Sequence, residues 1–185
     1  TYQTVILLER INMSTKKKEV VIASALRTPI GTFCGSLKNI QGHELGSIVV
    51  KEVIKNSNLN PNDIDELIMG QVLTGAAGQN PARQTAILSG LPNTKTAYVI
   101  NQVCGSGLRS IAAGHQAIIS NDSNIVIAGG QESMSKAPHA INYRNKDKKL
   151  EETNLIDTMI KDGLWDAFNG YHMGVTAENV ATKWK

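Results

Sequence analysis

Cys104 lies in the run Asn101-Gln102-Val103-Cys104-Gly105-Ser106-Gly107-Leu108-Arg109-Ser110, where apolar residues give way to small ones. Residues 96–101 read as a strand, and the residues after Gly107 read as a helix reaching about Ser120. The cysteine therefore falls at a strand-to-helix turn, which lifts a side chain to a sheet edge and lets a substrate approach the backbone. The helix N-terminus adds N–H donors and positive potential, which favour a thiolate and an anionic oxygen. The chemistry this suggests is nucleophilic attack on a carbonyl carbon. A free cysteine is more often a small apolar core residue. Gly105 and Gly107 weigh against that reading, since a helical glycine costs up to ~1 kcal/mol relative to alanine. Cys34, in a Gly-flanked loop, reads as structural.

A nucleophilic cysteine needs a base, and the chain has four histidines. His115 follows Cys104 on the same helix at about 16 Å, beyond hydrogen-bond reach. It shares a stripe with Leu108, Ile111, Ala112, Ile118 and Ile119 and is expected to be packed. His43 opens a helix and reads as a capping or surface group. His139 and His172 sit in irregular segments, and spacing selects neither as base.

The elements that must position Cys104 alternate in type. Residues 19–25 form a short β-branched run read as a buried strand. Residues 43–58 carry Leu45, Ile48, Val49, Val53 and Ile54 at helical spacing. A strand over residues 67–73 follows. Asn80-Pro81 then opens a helix that Gly90 ends, and residues 124–130 form the strand after the Cys104 helix. This alternation implies an α/β fold, a mixed sheet containing parallel strands with helices on its faces. Residues 176–185 start like a helix, with Thr176 as N-cap, and stop inside that element. The expected organisation is an extension over residues 1–18 without order, a domain over residues 19–134, and a second, truncated unit over residues 135–185. Met13-Ser14-Thr15-Lys16-Lys17-Lys18 reads as a translation start, which leaves residues 1–12 as upstream translation, a cloning remnant or an extension, with a targeting-peptide remnant as the alternative that their charge pattern fits poorly.

Composition narrows the function class. The chain is 185 residues long, 41% hydrophobic, 19% charged and +3 in net charge. That balance supports a packed core and argues against disorder. Aromatics are only 4% and the charges are dispersed, unlike a nucleic-acid-binding face. No apolar run approaches the ~20 residues that span a bilayer, and Val5-Ile6-Leu7-Leu8 is too short for a signal-peptide core. The two cysteines form neither a metal pair nor a disulfide framework. No metal or prosthetic group is implied.

Taken together, the motifs resemble the N-terminal portion of thiolases, most closely the short-chain, biosynthetic acetyl-CoA acetyltransferases. Five ordered segments carry the likeness: Ala25-Leu26-Arg27-Thr28-Pro29-Ile30-Gly31, Gly78-Gln79-Asn80-Pro81-Ala82-Arg83-Gln84, the Cys104 run, Gly129-Gly130-Gln131-Glu132-Ser133-Met134-Ser135, and residues 156–164 continuing to Gly170-Tyr171-His172-Met173-Gly174. Gln131 departs from the methionine usual in the family. The resemblance implies a layered thiolase-like fold of which the N-terminal half and part of an inserted loop domain are present. It implies Cys104 as the acyl-accepting nucleophile and Leu164, His172 and Met173 as residues lining the CoA or acyl pocket. The implied substrates are acetyl-CoA and acetoacetyl-CoA, with CoA thioesters as reactants and no cofactor. It further implies a cytoplasmic or mitochondrial protein without membrane or nucleic-acid partners, a homodimer or homotetramer when whole.

In the family, the activating histidine, a second cysteine and an oxyanion-site asparagine belong to a second half without counterpart in these residues, so this chain alone is expected to be inactive. Arg144, Lys146, Lys148 and Lys149 alternate with acidic residues and read as a solvated loop. The alternatives are a non-catalytic acyl-CoA or lipid-binding relative and a ketoacyl-synthase-type condensing enzyme. The first does not call for a thiol, and the second does not call for the segment over residues 156–174.

Overall fold

A computed structural model describes residues 4–11, 18–142 and 154–185. The chain divides into two compact units, one ending at Lys136 and the other beginning at Ala137. The basic residues between 144 and 149 lie outside the described residues.

The first unit is built on a five-stranded sheet in the order β2-β1-β5-β3-β4. Its strands are β1 (Thr4–Ile11), β2 (Lys18–Leu26), β3 (Glu66–Gly70), β4 (Thr96–Ile100) and β5 (Ile125–Gly130). β3 runs parallel to both β4 and β5, and β1 is antiparallel to both β5 and β2. Helices α1 (Gly42–Asn56) and α2 (Pro81–Leu88) pack on one another and cover one core, centred on Val50, Val53, Ile64, Leu67 and Met69. Helix α3 (Ser106–Ile119) belongs to the other core, with Ile68, Ile118, Val126 and Ala128. Strands buried on both faces read as continuous apolar runs, which is why Leu67-Ile68-Met69 and Val126-Ile127-Ala128 were legible.

Three expectations need correction. Residues 4–11 of the supposed unordered extension form β1, because Val5, Ile6 and Leu7 supply apolar side chains to both faces of the sheet. The β-branched run after Glu19 forms β2 at the sheet edge, not a buried strand, and its Ile22 is 57% exposed. On α3 the buried face is Ser106, Ser110, Gly114 and Ile118. Leu108, at 75% exposure, and His115 point away from it. Small residues let the helix lie close on the sheet: a Cβ on Gly114 would come within 2.9 Å of Leu7 Cδ1. Of the apolar stripe, Ile118 is buried and Ile111 packs against the same core, whereas Leu108 and Ile119 are exposed, so apolar periodicity located the helix and only part of its buried side.

The second unit holds a two-stranded antiparallel pair, β6 (His139–Ala140) with β7 (Ile156–Asp157), then a π-turn over Met159–Leu164 and helix α4 (Met173–Trp184). α4 starts earlier than expected, because His172 rather than Thr176 caps it. No helix among the described residues is long and apolar enough to cross a membrane.

Candidate active site at the carboxyl edge of the sheet

The registers Gly70↔Ile100 and Gly70↔Gly130 bring the three parallel strands to an end level with one another. Residues 71–73, 101–105 and 131–135 therefore emerge at one edge, the edge where open α/β sheets bind ligands. Backbone bonds knit them together: Gln71 N–H donates to Ile100 O at 3.1 Å, and Gln131 N–H donates to Gly70 O at 2.9 Å.

Cys104 occupies this edge with its side chain exposed, immediately before Gly105, the N-cap of α3. The turn that holds it is tightly specified. Val103 has φ +48°, a region that β-branched residues avoid at a cost of order 1–3 kcal/mol. Asn101 Oδ1 accepts from Val103 N–H at 2.9 Å. Ser106, fully buried, accepts from Gln102 N–H at 2.9 Å and donates its hydroxyl to Val103 O at 2.6 Å. Gly105 N–H donates to Gln102 O, and Ser106 N–H to Val103 O. Gly70 makes room for this turn, since a Cβ there would lie 2.4 Å from the Ser106 carbonyl carbon. No side chain caps α3, which suits a helix start that serves as a donor group for a ligand oxygen. Sequence reading missed Ser106 and Gly70 as positioning residues. The run of small residues was their only signal.

The other motif residues brace the same region. Gln131 is buried, its Oε1 accepting from Thr85 Oγ1 at 2.6 Å and its Nε2 donating to Gln71 Oε1 at 2.9 Å. Gly46 makes space for that amide. Asn80 caps α2 through Arg83 N–H and donates to Ala97 O, tying α2 to β4. Arg83 donates to the carbonyls of Asn93 and Lys95. This motif is scaffold.

Glu132 accepts from Val72 N–H at 2.8 Å and from Leu73 N–H. Burial outweighs those two donors and raises its pKa above the ordinary glutamate value. The folded chain then holds this proton at a pH where the unfolded chain has lost it, so Glu132 lowers stability as pH rises from the ordinary value through the folded one. Glu132→Gln is expected to remove that part of the decline in urea titrations across this window. An unchanged slope would show that Glu132 does not carry it.

Cys34, read from the sequence as structural, lies on a turn of its own. It too is free and exposed, at φ +55°, with its N–H donated to Ser135 Oγ at 2.9 Å. Exposure therefore does not separate the two cysteines; the strand-to-helix turn does. An apolar cleft of about 270 Å³ between residues 27–33, α1 and residues 130–135 does not include Cys104. His43 is the second residue of α1, and its carbonyl accepts from Thr85 Oγ1.

In the second unit, Leu164 ends the π-turn, Trp165 bridges antiparallel to His172, and Met173 opens α4. One hairpin thus brings together Leu164, His172 and Met173. Its turn is fixed by Asp166, which accepts from the backbone and side chain of Asn169 and from Phe168 N–H; these donors hold its carboxyl below the usual range. His172 Nδ1 accepts from Gly174 N–H at 2.9 Å, which places that ring nitrogen in a helix cap. His139 Nε2 lies 4.0 Å from Asp157 Oδ2.

The family model for the thiolase N-terminal domain matches residues 20–185. This chain belongs to the thiolase family. Among its relatives, the acetyl-CoA acetyltransferase of Paracoccus denitrificans is 58% identical over 167 residues, covering 90% of this chain and 42% of the relative. That of Rhizobium meliloti is 53% identical over 166 residues, and the probable acetyl-CoA acetyltransferase of Escherichia coli is 53% identical over 167, with the same two coverages. The thiolase chain thus spans about two fifths of the length of these relatives. The mixed sheet with helices on both faces agrees with the fold the sequence implied.

Proposed function

We propose that this chain is the acyl-accepting portion of an acetyl-CoA C-acetyltransferase. The observation that carries this reading is Cys104, exposed on a strained turn at the carboxyl edge of the sheet and directly before an uncapped helix. The Cys104 thiolate attacks the acetyl carbonyl carbon, the bond from that carbon to the CoA sulfur breaks, and CoA leaves as its thiol after taking a proton. Donors at the helix start stabilise the oxyanion of the tetrahedral intermediate. In the condensation, a second acetyl-CoA loses an α-proton to a base. Its carbanion attacks acetyl-Cys104, forming acetoacetyl-CoA and returning the thiolate. Thiolysis of acetoacetyl-CoA is the reverse. Leu164, His172 and Met173 shape the pocket for the CoA arm or acyl group, with Met173 a polarizable wall.

By the family resemblance, the proton-transfer histidine and cysteine belong to a second half. The 185-residue chain is accordingly expected to acylate without sustained turnover. Mixing the chain with acetyl-CoA and measuring free CoA by chromatography should show release of no more than one equivalent of CoA per chain, and none with Cys104→Ser. Equal release from the variant would overturn the assignment, and continuous release would overturn the limit on turnover.

A further inference from the structure

Asn169-Gly170, in the turn of the second unit's hairpin, is the sequence's one asparagine followed by glycine. Both residues are exposed. Gly170 has φ +72°, and a Cβ built on it would meet nothing within 4 Å. An asparagine amide is a labile group, and a glycine, having no Cβ, leaves its nitrogen open to approach a neighbouring carbonyl carbon. The pair therefore holds the parts of an intramolecular substitution: an amide carbon with ammonia as its leaving group, and a backbone nitrogen one residue on.

Asp166 engages both parts. Its Oδ2 accepts from Asn169 Nδ2 at 3.1 Å, its Oδ1 accepts from Asn169 N–H at 2.8 Å, and its carbonyl accepts from Gly170 N–H at 3.1 Å. The amide is tethered, and the nitrogen that must attack it is occupied. Asp166 N–H in turn donates to Tyr171 O at 2.8 Å, closing the turn one residue before His172. Ring closure requires these bonds to open, and exposed turns open locally at low cost.

We propose that Asn169-Gly170 is a self-modifying site whose rate Asp166 restrains, and that its conversion remodels the hairpin carrying His172 and Met173. The Gly170 nitrogen gives its proton to hydroxide and attacks Asn169 Cγ. The N–Cγ bond forms, the Cγ–Nδ2 bond breaks, and Nδ2 takes a proton from solvent and leaves as ammonia. One water then opens the cyclic imide, and a proton is released as the carboxylate forms. Cleavage of the new bond gives aspartate; cleavage of the original peptide bond gives isoaspartate, whose main chain is longer by one carbon. Either product removes the donor on Asp166 Oδ2 and sets a second negative charge beside a carboxyl whose pKa lies below the usual range. The consequence for substrate rests on the reading above that His172 and Met173 shape the pocket.

The test incubates the full chain in mildly alkaline buffer made with water enriched in heavy oxygen and maps its peptides by mass spectrometry. Heavy oxygen should enter at Asn169 before any other asparagine. In Asp166→Ala it should enter about tenfold faster, the change that ~1.4 kcal/mol of lost restraint gives. No conversion at Asn169, or earlier conversion elsewhere, would overturn the site, and equal rates in parent and variant would overturn the restraint. Should Asp166→Ala fail to fold by circular dichroism, Asp166→Asn, which loses the acceptor for Asn169 Nδ2, decides by the same comparison. After conversion, hydrogen exchange at the Asp166 amide should quicken, and unchanged exchange would overturn the remodelling. None of these readouts depends on Cys104. The converted chain should also need more acetyl-CoA for half-maximal acetylation of Cys104. Quickened exchange without that rise would contradict the pocket role of His172 and Met173 while upholding the modification site.

Discussion

Gly70→Ala is expected to lose about 3 kcal/mol of stability, at the upper end of the cost of overpacking, and to impair acetylation of Cys104. The cost is steric: Gly70 is not among the positive-φ glycines, so alanine suits its backbone. The added Cβ would sit 2.4 Å from the Ser106 carbonyl carbon and 2.6 Å from Gly107 N. Both are backbone atoms at the start of α3 and cannot rotate away as a side-chain tip would. Either β3 recedes or α3 lifts, and lifting α3 moves the turn that carries Cys104. Urea unfolding gives the stability, and CoA release below the unfolding range gives the effect on the site. A variant within about 0.5 kcal/mol of the parent, the ordinary range for a neutral surface change, would show that this close approach is not needed.

Ser106→Ala is the second large effect. It leaves Gln102 N–H without its acceptor inside the protein and removes the hydroxyl held by Val103 O, for an expected loss of about 1–3 kcal/mol. With that clamp gone, Val103 can relax from φ +48°, and Cys104 turns with it. Acetylation under fully folding conditions should slow about tenfold, the equivalent of ~1.4 kcal/mol diverted from the site geometry. Glycine tolerates positive φ without strain, so Val103→Gly added to Ser106→Ala should restore much of the rate, a coupling a double-mutant cycle isolates. Independent, additive effects of the two substitutions would contradict a positioning role for Ser106.

These positions also mark how much of the molecule was legible in its residues. Alternating elements and Cys104 at a strand-to-helix turn could be read directly, because Leu67-Ile68-Met69, Val126-Ile127-Ala128 and the glycines beside Cys104 are strong local signals. What stayed hidden depends on tertiary proximity. The approach of Gly70 to Ser106 joins residues 36 positions apart, and nothing local distinguishes Gly70 from any strand-end glycine. The buried face of α3 is mostly small or polar, Ser106, Ser110 and Gly114 before Ile118, with Ser110 donating to the carbonyls of Gly107 and Gly129, so an apolar count found Ile118 but not the rest of that face. β1 was missed for another reason. Val5-Ile6-Leu7-Leu8 is too short to be a signal-peptide core, and a short apolar run can equally be a strand buried on both faces. Its presence between β5 and β2 also explains why the β-branched run after Glu19 rides at the edge.

The account turns on which sulfur receives the acetyl group. Peptide mapping by mass spectrometry after brief exposure to acetyl-CoA at neutral pH answers this directly, because both thiols are free and exposed. The prediction is a thioester-linked acetyl group on the peptide bearing Cys104, with Cys34 unmodified. Acetylation of Cys34 in preference to Cys104, or to the same extent, would contradict it.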